Sequence, residues 1–403
     1  MTLIRRFQLE IPILWVLFWS PVLWNSSLAV FDAMDERLFH GPTIQGFANA
    51  LPWPDLSDYP SATTPLYHLL LAPISWLTNH HIFTLRVVNL LLSGLCLWLV
   101  VRCLSRWSNP RIGMLGGLLI GMNPYFIGPG VRLSTDNVAL LSVFATLLAT
   151  HPNTLSSPWR ASLWSTAAIW TRQIHAWLLA PILLAGLIAP RRRSTWLLTA
   201  LLPLFALAPL ATAWGGLTPP SFARGHATSI NVDVLVMSLG ILGAYSVFFC
   251  PWIIRTLRRK EAKLWVPGIA ALGLALLAQH SMPWQDDPNR WGGALWSLSS
   301  RFPEVLDIPL TFWATVPLGA LTLLAFSTHP DKKTGRFLTL TAAAFIGANM
   351  LSARAYQKYT DPMLLFFLVV FLSAQPRIHR ISWALPGILV LGLGAVSIFR
   401  FMV

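Results

Sequence analysis

Asp32, Asp35, Glu36 and His40 crowd into one decapeptide, FDAMDERLFH (31–40), where a long apolar run ends. A carboxylate there can accept a proton from an attacking hydroxyl. Asp35 is the candidate base, and Asp32, nearer the helix end, is its alternate. Glu36 points elsewhere in any regular structure and reads as a supporting partner at the substrate site. His40 either orients a carboxylate, touches substrate or makes a plain loop hydrogen bond. The matching cations lie far away in sequence. Arg172 interrupts the apolar stretch WTRQIHAW (170–177), and Arg354 and Lys358 fall in SARAYQKYTD (352–361). A charge at membrane depth costs about 2.5–3.5 kcal/mol on insertion scales, so it usually lines a polar cavity. A departing phosphate needs fixed positive charge rather than an acid, and a guanidinium matches its oxygens with paired donors. The set therefore suits base-assisted attack on an anionic, lipid-linked substrate. Plainer readings stand beside it: a cap or loop ion pair for Asp35, and a snorkelling or ion-paired side chain for Arg172. Asp136, in STDN (134–137), either caps its helix or binds substrate.

These residues need a scaffold, and the composition says which kind. Of 403 residues, 55% are hydrophobic and 11% charged, against about 25% charged in soluble domains. Mean hydropathy is +0.59. Apolar segments fall near 11–31, 82–101, 112–128, 137–150, 161–171, 174–189, 195–213, 234–254, 264–279, 309–327, 337–352, 362–374 and 382–401. Many approach the roughly 20 residues that cross a bilayer as a helix. The expected fold is an all-α, polytopic transmembrane helical bundle of roughly 11 to 13 spans, some tilted, kinked or re-entrant. Without a Gly/Ser linker or long polar block, residues 1–403 read as a single integral membrane domain. The first run follows Arg5 and Arg6 and resembles a signal peptide, with Ser27-Leu28-Ala29 mimicking a cleavage site. It exceeds the usual 7–15 residues of a signal core and reads as an uncleaved anchor.

Charge supplies the topology. Basic clusters sit at Arg5-Arg6, Arg102/Arg106/Arg111, 191–193, 255–263, 331–336 and 377–380. The intervening loops hold nearly all the acids, including Asp32, Asp35, Glu36, Asp55, Asp58, Asp136, Asp233 and Asp361. Lys and Arg accumulate in cytoplasmic loops, so the acidic loops face outward. The net charge of +14 is thus a topology signal, and no nucleic-acid partner is expected. The long outward loops 32–81, 214–233 and 280–308 are rich in Pro, Trp or Gly and read as packed short helical or irregular structure. Cys96, Cys103 and Cys250 lie in or beside apolar runs and form no disulfide framework or metal spacing. Asp286 and Asp287 in WQDDPNR (284–290) read as a solvated turn rather than a metal site.

MDERLFH (34–40), followed by WPDLSDYPSATTPLYHLLLAP (53–73), resembles the first outward loop of the dolichyl-phosphate-glucose α-1,2-glucosyltransferases. The matching residues are Met34, Asp35, Glu36, Phe39, His40, Trp53, Asp55, Thr63, Thr64, Pro65, Leu66 and Tyr67. Two later stretches, Thr135-Asp136 and Arg172-Gln173, resemble that family's Thr-Asp and Arg-Gln segments in the same order. The resemblance covers roughly residues 1–190. It implies a GT-C-type enzyme that takes a hexose, glucose first, from a polyprenyl-phosphate sugar on the non-cytoplasmic face. It also implies inversion at the anomeric carbon without a metal or other cofactor, an Asp base carried to Asp35, and Gln173 beside Arg172 at the substrate site. The expected partners are that donor, a lipid-linked or other membrane acceptor, and membrane lipids. A polyprenyl-phosphate-mannose or aminoarabinose-type transferase is the nearest alternative within the class. A lipid or sugar transporter is the alternative outside it, although transporters place charged sites near the bilayer midplane between repeated halves. Short loops favour a prokaryotic inner membrane; an endoplasmic reticulum protein would share this topology.

Overall fold

The computed structural model describes residues 3–25, 31–223, 230–278, 292–352, 354–373 and 383–402. It is all-α apart from a two-stranded ribbon of Glu304–Val305 against Ile308–Pro309. Chain contacts divide it into two compact units, 1–227 with 392–403 and 228–391. The sequence, lacking a linker, reads instead as one domain. The WQDDPNR segment and Ser27-Leu28-Ala29 lie outside the described residues.

In the first unit, α1 (Leu3–Trp19) leads through a 3-10 turn to α2 (Phe31–Asp35), a π-helical turn (Glu36–His40) and α3 (Gly41–Asn49). Residues 50–65 are irregular, interrupted by Pro52, Pro54 and Pro60. Helix α4 (Leu66–Leu77) then leads to α5 (Ile82–Trp107), which at 1.5 Å per residue is about 39 Å long. Helices α6 (Pro110–Gly121), α7 (Pro124–Val131), α8 (Asp136–Thr150) and α9 (Pro158–Thr171) follow. The stretch 112–128, apolar throughout, divides into two helices because Asn123 restarts one. Its side chain accepts from the Tyr125 N–H, and Pro124 suits the first helical position. A short 3-10 helix (Gln173–Leu178), α10 (Leu179–Ile188), α11 (Arg193–Trp214) and the single turn α12 (Pro220–Ala223) complete this part.

The second unit holds α13 (Val232–Ser246), α14 (Cys250–Leu257), α15 (Lys260–Lys263), α16 (Val266–Ala278), α17 (Ala294–Ser299), α18 (Leu310–Ser327), α19 (Lys332–Asn349), α20 (Gln357–Phe371) and the start of α21 (Ala384–Met402). Helices α13 and α18 meet backbone to backbone. A Cβ on Gly243 would stand 1.8 Å from the Thr315 carbonyl oxygen, and one on Gly319 would stand 2.0 Å from that of Leu239. Small residues at such crossings are how helices pack closely where no hydrophobic force separates lipid from protein.

Five spans among the described residues are long and apolar enough to cross a membrane: 82–107, 193–214, 232–257, 310–327 and 384–402. A sixth is reached if α7 and α8, bent by 116° at their junction, count as one broken span. Other apolar stretches, such as α4 and α6, are helices of 10–17 residues. The chain is an all-α membrane protein with many short or broken helices.

Candidate functional site

The acids of residues 32–36 and the Arg102/Arg106 cluster lie toward opposite ends of α5. Where α5 ends, Trp107 stacks on His151, just past α8, at 4.2 Å, and its indole donates to Thr154. The other ends of α5 and α8 therefore lie together too, and there the acidic decapeptide meets the α7–α8 junction.

Glu36 is the hub. Its carboxylate receives Arg86 Nε at 3.1 Å and Nη2 at 2.5 Å, and the Leu133 backbone N–H at 2.9 Å. Arg86 Nη1 also donates to the Leu23 carbonyl at 3.0 Å. Glu36 is thus engaged in holding α2, α5 and the 132–135 turn together. Asp32, buried one turn earlier, lies against α7: a Cβ on Gly128 would stand 2.3 Å from its Oδ2, so this approach requires glycine. Arg132, only 1% exposed, donates to the carbonyls of Val131 and Asn25. Asp35 is half-buried where Asp32 and Glu36 are buried. Of the three acids it is the most exposed.

The junction also carries the second predicted pair. Asp136 opens α8, takes a hydrogen bond from the Ser134 hydroxyl at 2.6 Å, and forms an ion pair with Arg172 at the C-terminal end of α9. Both side chains are about one-seventh exposed, at 14% and 15%. Gln173 donates to the Ala62 carbonyl at 2.9 Å and Thr64 to that of Ile169 at 2.6 Å, so the 50–65 loop folds onto the end of α9. Trp214 and Ser221 fasten the same loop through Leu56 and Asp58. Within it, burial and then the Asp58 carboxylate push the Tyr59 hydroxyl up, and the phenol donates to Thr63 at 2.7 Å. The Ser57 backbone N–H holds the Asp55 carboxyl below its ordinary value.

His40 Nδ1 lies 3.1 Å from Nε2 of the fully buried His68, beneath the same loop. Tyr67 donates to Asn89 at 3.0 Å, and the Asn89 amide donates to the carbonyls of Pro129, Gly130 and Arg132 at 2.7, 3.0 and 2.8 Å. These contacts gather Asp32, Glu36, Asp136 and Arg172 around residues 128–136, with Gln173 next to Arg172 and Asp35 next to Glu36 in the chain. Arg354 and Lys358 belong to the second unit. There the exposed Arg354 donates to the Tyr356 hydroxyl at 2.8 Å, and the Lys358 ammonium sits 5.3 Å over the Tyr359 ring. Among the described residues no three His, Cys, Asp or Glu side chains converge as a metal site.

Arg86 and Asn89 complete the junction and are not among the residues the sequence motifs pick out. Their signal was present: polar side chains three apart, hence on one helix face, early in an apolar helix. The chain matches no protein-family model, no curated protein and no solved structure.

Proposed function

We propose that this protein is an inverting, GT-C-type glycosyltransferase of roughly 11 to 13 spans, taking a hexose from a polyprenyl-phosphate sugar, with glucose the favoured sugar. The acceptor is a lipid-linked glycan or another membrane lipid, and the site faces the non-cytoplasmic side of a prokaryotic inner membrane. Asp35 takes the proton from the acceptor hydroxyl as its oxygen bonds to the anomeric carbon. The carbon–oxygen bond to phosphate breaks on the opposite face, and its electron pair leaves on the phosphate. Arg172 meets that charge. Pairing with Asp136 fixes the guanidinium at the junction, where it supplies the positive charge a departing phosphate needs. The observation that carries this reading is the junction network, which gathers a half-buried Asp and an oriented Arg at one end of the first unit.

One feature favours a transporter. Asp361 is fully buried, accepting from Tyr245 at 2.8 Å and from Gln357 at 2.6 Å. It is the fifth residue of the 15-residue α20, and a carboxylate enclosed among packed helices is the kind of group a transport site uses.

The test is transfer of radiolabelled sugar from polyprenyl-phosphate-glucose and polyprenyl-phosphate-mannose to membrane acceptors, comparing wild type with Asp35→Asn. Loss of a general base lowers the rate by about 10²–10⁴-fold, and the productive donor identifies the sugar. Unimpaired transfer by Asp35→Asn moves the base to Asp32 or Asp136. Absence of transfer from both donors by the wild type removes the hexosyltransferase reading and brings the transporter forward.

A further inference from the structure

The opposite end of the first unit carries a cavity that the transferase reading does not use. It is open, about 540 Å³, and lined by Arg106, Pro152, Asn153, Thr154 and Leu155. That volume lies within the range of roughly 300–1,000 Å³ typical of small-molecule sites. Its walls are fixed. Thr154 donates to the Leu148 carbonyl at 2.8 Å and accepts the Trp107 indole at 3.2 Å, and Trp107 in turn lies flat on His151, 12° from parallel. Its binding groups are available. Arg106 and Asn153 are exposed, and among the described residues neither side chain has a hydrogen-bond or ionic partner.

The cavity stands among arginines, with Glu10 of α1 the acid on the neighbouring helix at this end. Arg102, Arg111 and Arg160 stand at the same end, on α5, α6 and α9. Between residues 101 and 160 there is one acid, Asp136, and it sits at the far end of α8 paired with Arg172. Four guanidinium groups thus face no carboxylate from this stretch. A guanidinium beside an amide donor suits phosphate oxygens, which accept paired, charge-assisted hydrogen bonds. The surroundings are those of a membrane surface rather than open water: Trp159, 63% exposed, begins α9 beside Arg160, and Leu163 follows one turn on at 64%. Exposed tryptophans of this kind mark the head-group level, and basic pockets at helix ends hold anionic head groups.

We propose that this cavity binds the phosphate head group of an anionic membrane lipid, with Arg106 and Asn153 as its donors. The proposal does not depend on the transferase reading, because the cavity and the junction network lie at opposite ends of the helices.

Native mass spectrometry of the full chain in detergent tests it, with added dioleoylphosphatidylglycerol, dioleoylphosphatidylcholine or inorganic phosphate. The wild type is expected to retain phosphatidylglycerol in preference to phosphatidylcholine. Arg106→Ala is expected to weaken that retention about tenfold, as loss of one charge-assisted hydrogen bond does, and Arg106→Lys to restore part of it. Arg160→Ala, a cation at the same end but outside the cavity, is expected to retain lipid like wild type. Equal retention of phosphatidylglycerol by wild type and Arg106→Ala overturns the proposal, as does equal retention of the two lipids by the wild type. Arg106-dependent binding of inorganic phosphate without phosphatidylglycerol overturns the lipid assignment and leaves a soluble anion.

Discussion

Glu36 and Arg86 form a buried ion pair with side chains 6% and 14% exposed, and removing one partner of such a pair leaves a charge without compensation. Arg86→Met is therefore expected to destabilise the first unit by about 3–5 kcal/mol. The combined change Glu36→Gln with Arg86→Met is expected to recover most of that loss. Glutamine keeps an oxygen for the Leu133 N–H while removing the buried charge. Thermal unfolding of the purified variants in detergent measures both, and equal losses in the single and double variants would refute the account. The acidic decapeptide was conspicuous in the sequence because three carboxylates in five residues are an anomaly in a chain with 11% charge. Which acid has which role was not legible. The partner of Glu36 lies fifty residues away, and a lone arginine near a helix start reads equally as a snorkelling side chain. Asp136 and Arg172 stand out singly in the sequence; their pairing emerges only when α8 and α9 lie antiparallel and bring them to one end.

Among the elements, the bend between α7 and α8 gives the site its shape, and Asn89 holds it from α5. Its amide occupies three carbonyls at the end of α7, groups that have no intrahelical partner where a helix stops. Its oxygen accepts Tyr67 from α4, so one side chain fastens two elements to the bend. Asn89→Ala strands these buried groups. At roughly 1 kcal/mol per lost hydrogen bond, and more where a buried group stays unsatisfied, the expected cost is about 2–4 kcal/mol. Hydrogen exchange locates the effect. Amides at 131–135 are expected to lose protection while those in the middle of α5 keep theirs, and uniform loss throughout α5 would show that Asn89 supports its own helix instead. The starts of α6 and α7 follow Asn-Pro pairs whose asparagines cap them, a break that the apolar run 112–128 did not suggest, whereas the STDN run supplies no side-chain cap to α8 and Asp136 pairs with Arg172 instead. The 116° turn was not readable, because its direction depends on an amide contributed by another helix. The same division applies to the 32–81 loop. Its prolines foretold an irregular middle, whereas α3 and α4 at its two ends depend on packing against residues of 50–65 such as Tyr59.

At the level of the whole molecule, the chain leaves its first unit near residue 227 and returns to it for the last dozen residues. Hydropathy flagged residues 382–401 as a span but gave no sign of which helices its end would join. The contacts do. The Ser397 hydroxyl donates to the Met122 carbonyl at 2.9 Å, at the break between α6 and α7. Phe401 packs edge-on to the fully buried Trp19 with ring centroids 6.0 Å apart, and the Arg400 guanidinium lies 6.0 Å over Tyr125. Residues 397–401 thus cover the end of α1 and the start of α7, the helix whose Gly128 receives Asp32. Ending the chain at Leu391 is expected to expose Trp19 and to lower hydrogen-exchange protection over 11–24 and 122–131. Protection in α13, α18 and α20, which belong to the second unit, is expected to stay near wild type. Phe401→Ala isolates the packing from the truncation. A large buried ring replaced by methyl costs about 3–5 kcal/mol, and its loss of protection is expected in the same two segments at smaller amplitude. If truncation instead loosens the second unit and spares α1 and α7, the terminal residues serve α21 alone, and the support of α7 against Asp32 must come from α5 through Asn89 without help from the C-terminus.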